Sequence, residues 1–389
     1  MSTPSATASP VSAMGDPGRN DYSGTLLHLC TPTTWRMALA ADAVATPSLF
    51  ADGFVHLSTP AQVELPANTL FAGRTDLVAL VIDPARLPGE LRFEPARGDA
   101  PPGMCFPHHY GPVPTNAVVA VMPYQPGPDG RFTTPTGLPA PQDVAARVRL
   151  FDRALAQRRA AAVVPVDGGV AVLDPRFPAS YEHNTVWFDR PGNAATVATE
   201  AARVLGVANL THRRVVFDGP APAGELAGRG WRIQELRLMV WDGRAVTQRP
   251  KDVVAVTHEV VSRLWERSWR RDLPDVDEET VCQLVSREPL ADTVLRLVDL
   301  AVLDDSGDPI ASAQVRIDGA TAAIEAVLTE PAHRRTGLAR NLVLDAVARA
   351  QAAGCDVVFL SAAADDWPGG WYARLGFIEV STRFEATID

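Results

Sequence analysis

Lysine is nearly absent from this 389-residue chain. Lys251 stands alone, so almost all of the 36 basic side chains are arginine. Together with abundant alanine and proline this points to a GC-rich coding sequence. Acidic residues outnumber basic ones, 46 to 36, the formal net charge is −10, and the two signs are interleaved. That balance argues against nonspecific binding to nucleic acid or an anionic membrane and favours a small-molecule or protein substrate. The four cysteines, Cys30, Cys105, Cys282 and Cys355, stand far apart with no CxxC pair and no histidine at zinc spacing. No metal site is expected, and the four are read as buried, reduced thiols. No apolar run approaches the roughly 18 residues a membrane span needs, and residues 1–20 lack a basic segment followed by an apolar one. The expected location is therefore cytoplasmic. With 46% hydrophobic and 21% charged residues the chain has the composition of a globular protein, and its length suits two or three domains.

Residues 1–22 carry no hydrophobic period and are expected as a disordered tail. A small α+β unit follows over 23–124, with strand-like runs at 25–29, 77–83, 90–93 and 117–122 and a helical stretch at 32–43. Residues 125–161 are read as a Pro/Gly/Thr-rich linker, 125–141, and an amphipathic helix, 141–161. From 162 onward the chain repeats itself weakly. Helix 193–205, strand 213–218, a short helix and a strand through Trp241 are echoed by helix 339–353, strand 356–361, a short helix and a final strand. Both halves carry Val-Val-Phe, at 215–217 and 357–359. The first half, 162–252, lacks a loop that the second, 253–389, contains.

That loop carries the chemistry. A β-type run, 324–328, meets a turn, and Arg334-Arg335-Thr336-Gly337-Leu338-Ala339 then opens a helix whose apolar face is Leu342, Val343, Ala346, Val347 and Ala350. The first amides of a helix have no internal acceptor, and the helix dipole adds positive charge there, so strand, loop and helix N-terminus form an anion cradle suited to a pyrophosphate. Gly337 lets backbone approach phosphate without an intervening Cβ, Ala339 keeps the next turn small, and Arg334 and Arg335 add directional charge.

These residues resemble the acetyl-CoA signature of the GNAT superfamily, Gln/Arg-x-x-Gly-x-Gly/Ala, at Arg334, Gly337 and Ala339. Glu330-Pro331 before the loop and Trp371-Tyr372-Ala373-Arg374-Leu375-Gly376-Phe377 near the end match further words of that family. The resemblance spans residues 253–389, with early helices at 264–271 and 278–288 and a hairpin of 297–303 and 309–317 around the turn 304–308. It implies a mixed sheet flanked by helices and transfer of an acetyl group from acetyl-CoA to an amine of a small molecule or protein; with the weak internal repeat, 162–252 is expected as a degenerate GNAT-like half. By the same resemblance Tyr372 is the general acid on the departing thiolate, although a tyrosine there also suits plain core. Glu325 matches a water-linked general base, and strand alternation leaves open whether it points into the cleft or to solvent. Backbone amides of Val327, Leu328 and Thr329 would hold the pantetheine arm and thioester carbonyl, with Arg334, Arg335, Thr336, Gly337, Leu338 and Ala339 at the pyrophosphate. Asp365 stands where many members keep an asparagine on the pantetheine. Trp265, Trp269, Trp367 and Trp371 fall in segments that border the family's acceptor pocket and are otherwise core.

Residues 26–122 are similar to domain of unknown function 952, through Leu27-His28-Leu29 with Trp35, Gly53-Phe54-Val55-His56-Leu57-Ser58, and Phe106-Pro107-His108-His109-Tyr110-Gly111-Pro112. That family has been grouped with ADP-ribosyltransferase-like folds, which implies NAD as a ligand, His28 and His56 with Ser58 on the early strands, and Glu94 or His109 as the late group. The whole is thus an α+β and α/β multidomain chain, read first as an acetyltransferase. The alternatives are an NAD-handling enzyme in the N-terminal unit with the acetyltransferase as accessory, and a non-catalytic CoA-binding or recognition module.

Overall fold

The computed structural model describes residues 22–96, 101–208, 210 and 212–388. All but the last residue of the expected tail, 1–22, lies outside them. The N-terminal unit runs β1 (Leu26–Cys30), α1 (Pro32–Ala41), β2 (Ala43–Val44), α2 (Pro47–Asp52), β3 (Val55–His56), α3 (Glu64–Leu70), β4 (Leu77–Ile82), β5 (Glu90–Pro95), β6 (Cys105–Tyr110), β7 (Val113–Pro114) and β8 (Val118–Tyr124). Two three-stranded sheets, β1-β4-β8 and β3-β6-β5, form its frame. Helices α1 and α2 start alike, with a threonine side chain, Thr31 or Thr46, accepting an amide of the first turn and proline in the first turn, where a missing N–H costs nothing.

After α4 (Val144–Arg159) come β9 (Ala162–Val166), β10 (Gly169–Leu173), β11 (Thr185–Phe188), α5 (Ala194–Val207), β12 (Arg213–Phe217), α6 (Ala223–Ala227) and β13 (Arg232–Trp241). Next are β14 (Val254–Val256), α7 (His258–Asp272), α8 (Glu278–Ser286), β15 (Arg296–Leu303), β16 (Pro309–Asp318), β17 (Thr321–Thr329), α9 (Leu338–Ala352), β18 (Val357–Ala363), α10 (Pro368–Leu375) and β19 (Phe377–Ile388). All the strands from β9 onward join one eleven-stranded sheet in the order β14-β15-β16-β17-β18-β13-β19-β12-β11-β10-β9.

The element order β9 to β13 is the order β15 to β19. In both runs two antiparallel pairings are followed by a parallel one, β11 with β12 and β17 with β18, across a helix on the sheet face. The two Val-Val-Phe words fall on the equivalent strands β12 and β18. The last strand of each run crosses over: β13 pairs antiparallel with β18, β19 pairs antiparallel with β12, and β13 and β19 pair with each other over their whole length. Neither run can close its sheet without the other's last strand.

The N-terminal unit shares its core with this sheet. Leu26, Leu80 and Val118 belong to one buried cluster with Val148, Phe151 and Leu155 of α4 and Ala323, Val357 and Phe359 of the sheet. Segment 125–161 is therefore not a free linker. Asn68 makes hydrogen bonds to both backbone groups of Phe132, and α4 packs between β8 and the sheet, with Phe151 edge-on to Phe359 at 5.2 Å. Fully buried Arg147 donates to Asp356, Thr321, Ala320 O and Pro141 O, so its charge is paired and every hydrogen-bonding nitrogen is satisfied. Trp35 Nε1 donates to Asp318 Oδ1 at 2.7 Å. At the β16–β17 turn, Gly319 has φ +72 and a Cβ there would lie 2.2 Å from Val118 O, so only glycine lets the two units meet this closely.

Candidate active site

β17 decides the geometry of the site. It runs antiparallel to β16 throughout, but pairs with β18 only at Thr321, Ala322 and Ala323. Beyond Phe359, β18 continues along β13 on its other side, and β17 bends away. The bend is a bulge: the register shifts opposite Ser312 and Gln314, and Ala326 sits at φ +50, a left-handed value uncommon for a residue with a Cβ. Residues 324–329 thus border an opening with one edge free of a strand partner among the described residues.

The opening leads to the loop before α9. Arg335 at φ +65 and Gly337 at φ +93 turn the chain, and α9 begins with no side chain capping its amides. Nothing lies within 4 Å of a Cβ built on Gly337. Glycine is favoured there by its dihedral, and the space beside it is open, so the residues fit a phosphate at this helix N-terminus. The loop is braced from below: Arg334 Nε donates to Thr329 O, Thr336 Oγ1 to His333 O, and Arg267 and Arg271 both pair with Glu330. Arg335, Thr336 and Gly337 are exposed, while Leu338 and Ala339 are half-buried. Asp365 is also exposed, in the turn between β18 and α10.

On the other side of the splay lies a cavity of about 730 Å³ that Glu325 lines. Its wall is a buried polar layer. Gln314 is opposite Glu325 across the β16–β17 pairing, Arg316 is two residues further along β16 on the same face, and Arg316 donates to Gln314 Oε1 and Glu288 Oε2. Ile324, one residue away, packs instead in the core with Val343 and Val347 of α9. The bulge and this alternation decide what the sequence left open: Glu325 faces the cavity. Burial pushes its carboxyl up to about 8, against the opposing pull of Arg316. Tyr372 is buried between Trp371 and Phe377, and burial, then the neighbouring Glu325, push its hydroxyl up to about 12.

Other expected residues fall differently. Of the four tryptophans only Trp269 lines the cavity. Trp265 is core, its indole donating to Ser312 Oγ at 3.0 Å; Trp371 packs on Tyr372; Trp367 is 70% exposed. Cys30 and Cys355 are buried thiols as expected, but Cys105 is half-buried and Cys282 exposed. The cavity residues not foreseen include many charged ones, among them Asp152 and Arg159 from α4, Glu182 after β10, and Arg383 from β19. A signal for α4 was present, because Arg147 and Arg159 recur on the helical stripe of Val148, Phe151 and Leu155.

In the N-terminal unit the structure links His56 not to His109 but to its neighbour. His56 Nδ1 lies 3.1 Å from His108 Nε2, His108 Nδ1 lies 2.5 Å from Glu94 Oε2, and Tyr110 donates to Glu94 Oε1 at 2.9 Å. Phe54 stacks on His108 at 4.1 Å. His109, adjacent on β6, faces the opposite side and is fully buried, with burial lowering its pKa. His28 bonds through Nδ1 with His56 O, and Ser58 is held by reciprocal backbone bonds to Leu27. Glu94 and His56 thus share a cluster from which His109 is excluded by strand parity.

The uncapped start of α9, the splayed strands β17 and β18, and Glu325 facing the cavity are the features that meet at this opening. Residues 258–377 match the family described as Acetyltransferase (GNAT) family. Residues 29–121 match Protein of unknown function (DUF952), a description that names no activity and lends nothing to an ADP-ribosyltransferase-like fold or an NAD site. No curated protein matches the chain. Among solved structures, a functionally unknown conserved protein from Staphylococcus epidermidis is 14% identical over 58% of this chain and 93% of its own, with a TM-score of 0.48. A GCN5-related N-acetyltransferase from Kribbella flavida is 19% identical over 63% of this chain and 96% of its own, with a TM-score of 0.43. Protein CC0527 from Caulobacter crescentus is 28% identical over 28% of this chain and 93% of its own, with a TM-score of 0.26. No helix among the described residues is long and apolar enough to cross a membrane.

Proposed function

We propose that the C-terminal unit transfers an acetyl group from acetyl-CoA to the amine of a small molecule or protein, by direct attack. The observation that carries this reading is the position of Glu325, on the cavity side of the same splay whose other side opens to the uncapped N-terminus of α9. Amides of the loop 334–339 hold the pyrophosphate, and those of Val327, Leu328 and Thr329 orient the pantetheine arm and take up charge on the thioester oxygen. Asp365, in the exposed turn after β18, borders the pantetheine path. A neutral amine forms the new N–C bond as the C–S bond breaks; Glu325 accepts the amine's proton and Tyr372 gives one to the sulfur. A hydroxyl held near 12 stays protonated through the neutral range and is ready to donate.

The half 162–252 is read as a degenerate copy of the acetyltransferase half. Its helix α5 supports this, since Asn193 caps it and accepts the amide of Thr196, leaving that helix end less open to phosphate than α9. Its contribution is the exchanged strand β13 and one wall of the cavity.

Release of CoA thiol on mixing the full chain with acetyl-CoA and amines tests the reading. For Tyr372→Phe, turnover falls about tenfold to a hundredfold while calorimetric acetyl-CoA affinity is unchanged. Equal, small changes in both would make Tyr372 a packing residue.

A further inference from the structure

We propose that the amine accepted in this cavity also carries a carboxylate. The inference rests on the acyltransferase reading and adds the chemical class of its acceptor. Three guanidiniums of the cavity wall, Arg159, Arg287 and Arg316, converge on the single carboxylate of Glu182, with Arg287 and Arg316 each 3.7 Å from it. Their other anion, Glu288, serves Arg287 and Arg316 together at 3.2 and 2.9 Å. Three cations therefore share two carboxylates. The local field shows the excess: Glu182 is held well below the usual carboxylate range despite its burial, and His183 is driven down to about 3 by burial and by Arg159. Glu325, with its carboxyl near 8, adds little negative charge to this group at pH 7.

The donors are also incompletely used. Arg159 Nη1, Arg316 Nε and Trp187 Nε1 have no hydrogen-bond acceptor among the described residues, although these three cavity-lining residues are only 7%, 5% and 5% exposed. Buried donors without acceptors are costly and uncommon, and here three of them gather on one cavity wall. These donor atoms have almost no exposed surface, so a carboxylate reaches them only as the side chains yield; it then supplies acceptor lone pairs and the missing negative charge together, and guanidinium planes match its geometry. Trp269, Leu273 and Leu284, from α7 and α8, give the cavity an apolar side. An α-amino acid or short peptide with an apolar side chain meets all three demands: its amine toward Glu325, its carboxylate toward the arginines, its body against the tryptophan.

The test pairs L-phenylalanine and L-leucine with their amides as acceptors for the full chain, following CoA thiol release. The expected kcat/KM for the free acids exceeds that for the amides by about tenfold or more, the scale of one lost charge-assisted contact. Trp187→Phe, which removes the indole N–H and keeps a ring, raises KM for the acids about threefold to tenfold, with no change for the amides or in acetyl-CoA affinity. Amides used as well as the acids, or a Trp187→Phe effect equal on both, overturns the inference. Titration of the full chain with N-acetyl-L-phenylalanine and its amide separates the two claims. Preferential binding of the acid supports the anion site even if acetyl-CoA does not bind, an outcome that overturns only the acyltransferase reading. Binding of neither compound, with no acid preference in turnover, overturns the anion site alone.

Discussion

Glu325→Gln lowers kcat/KM by about a hundredfold to ten-thousandfold, the usual worth of a positioned general base, and removes a limb from its pH profile. On the proposed mechanism the active base is the ionised form of Glu325, whose carboxyl sits at about 8. Activity therefore rises with pH through that value and levels above it. In the glutamine variant only the acceptor's own ionisation remains. Stability moves the opposite way. Between the ordinary carboxylate range and about pH 8 the folded chain keeps a proton that the unfolded chain has released, so wild-type stability falls as pH rises across that window. Glutamine has no proton to lose, and the variant should be the more stable of the two above pH 8. Rate profiles and urea unfolding at pH 6 and pH 9 check both halves; an unaltered limb near pH 8 in the variant would remove Glu325 from the mechanism.

Gly337→Asp weakens acetyl-CoA binding by more than about a hundredfold while the protein still folds. The position has φ +93 and open space beside it, so the substitution meets no steric wall, and the left-handed backbone costs about 1–2 kcal/mol, least for Asp and Asn. A carboxylate at the start of α9 is itself favoured by the helix dipole and occupies the place of the phosphate. Gly337→Asn keeps shape and dihedral without the charge and should retain most of the affinity. Calorimetric titration of both variants decides the matter, with thermal unfolding as the control for folding. Equal loss in Asn and Asp would mean that backbone shape rather than anion binding sets the affinity.

The loop was readable because its demands are local. A strand, a turn needing a positive φ at Gly337, and a helix with one apolar face can each be seen within a few residues, and the expected helix start at Ala339 lies one residue from Leu338. The hairpin around Gly307, whose φ is +85, was equally local, with Asp304 Oδ1 accepting from Ser306 and Asp308. Parity was harder. His108 and His109 are neighbours in an extended run, and nothing short of the β5–β6 register says which of them faces Glu94. The tryptophans stayed open for a related reason: position in a segment does not reveal which side of it is buried, and Trp265 and Trp269 lie one helical turn apart with different fates.

By itself the sequence determined the periods, the caps, the turn residues and the loop before α9, because these follow from dihedral preference and side-chain chemistry over short spans. Only the tertiary structure decided the exchange of β13 and β19, the use of α4 as a wall of the cavity, and the turn of Glu325 into that cavity. A hydrophobic strand carries no address for its partner, and a charged helix face carries no record of which carboxylates it will meet. Those assignments come from register and packing, through contacts between residues as distant as Glu182 and Arg316 or Asp152 and Arg383, where the free energy of pairing depends on the whole fold being in place.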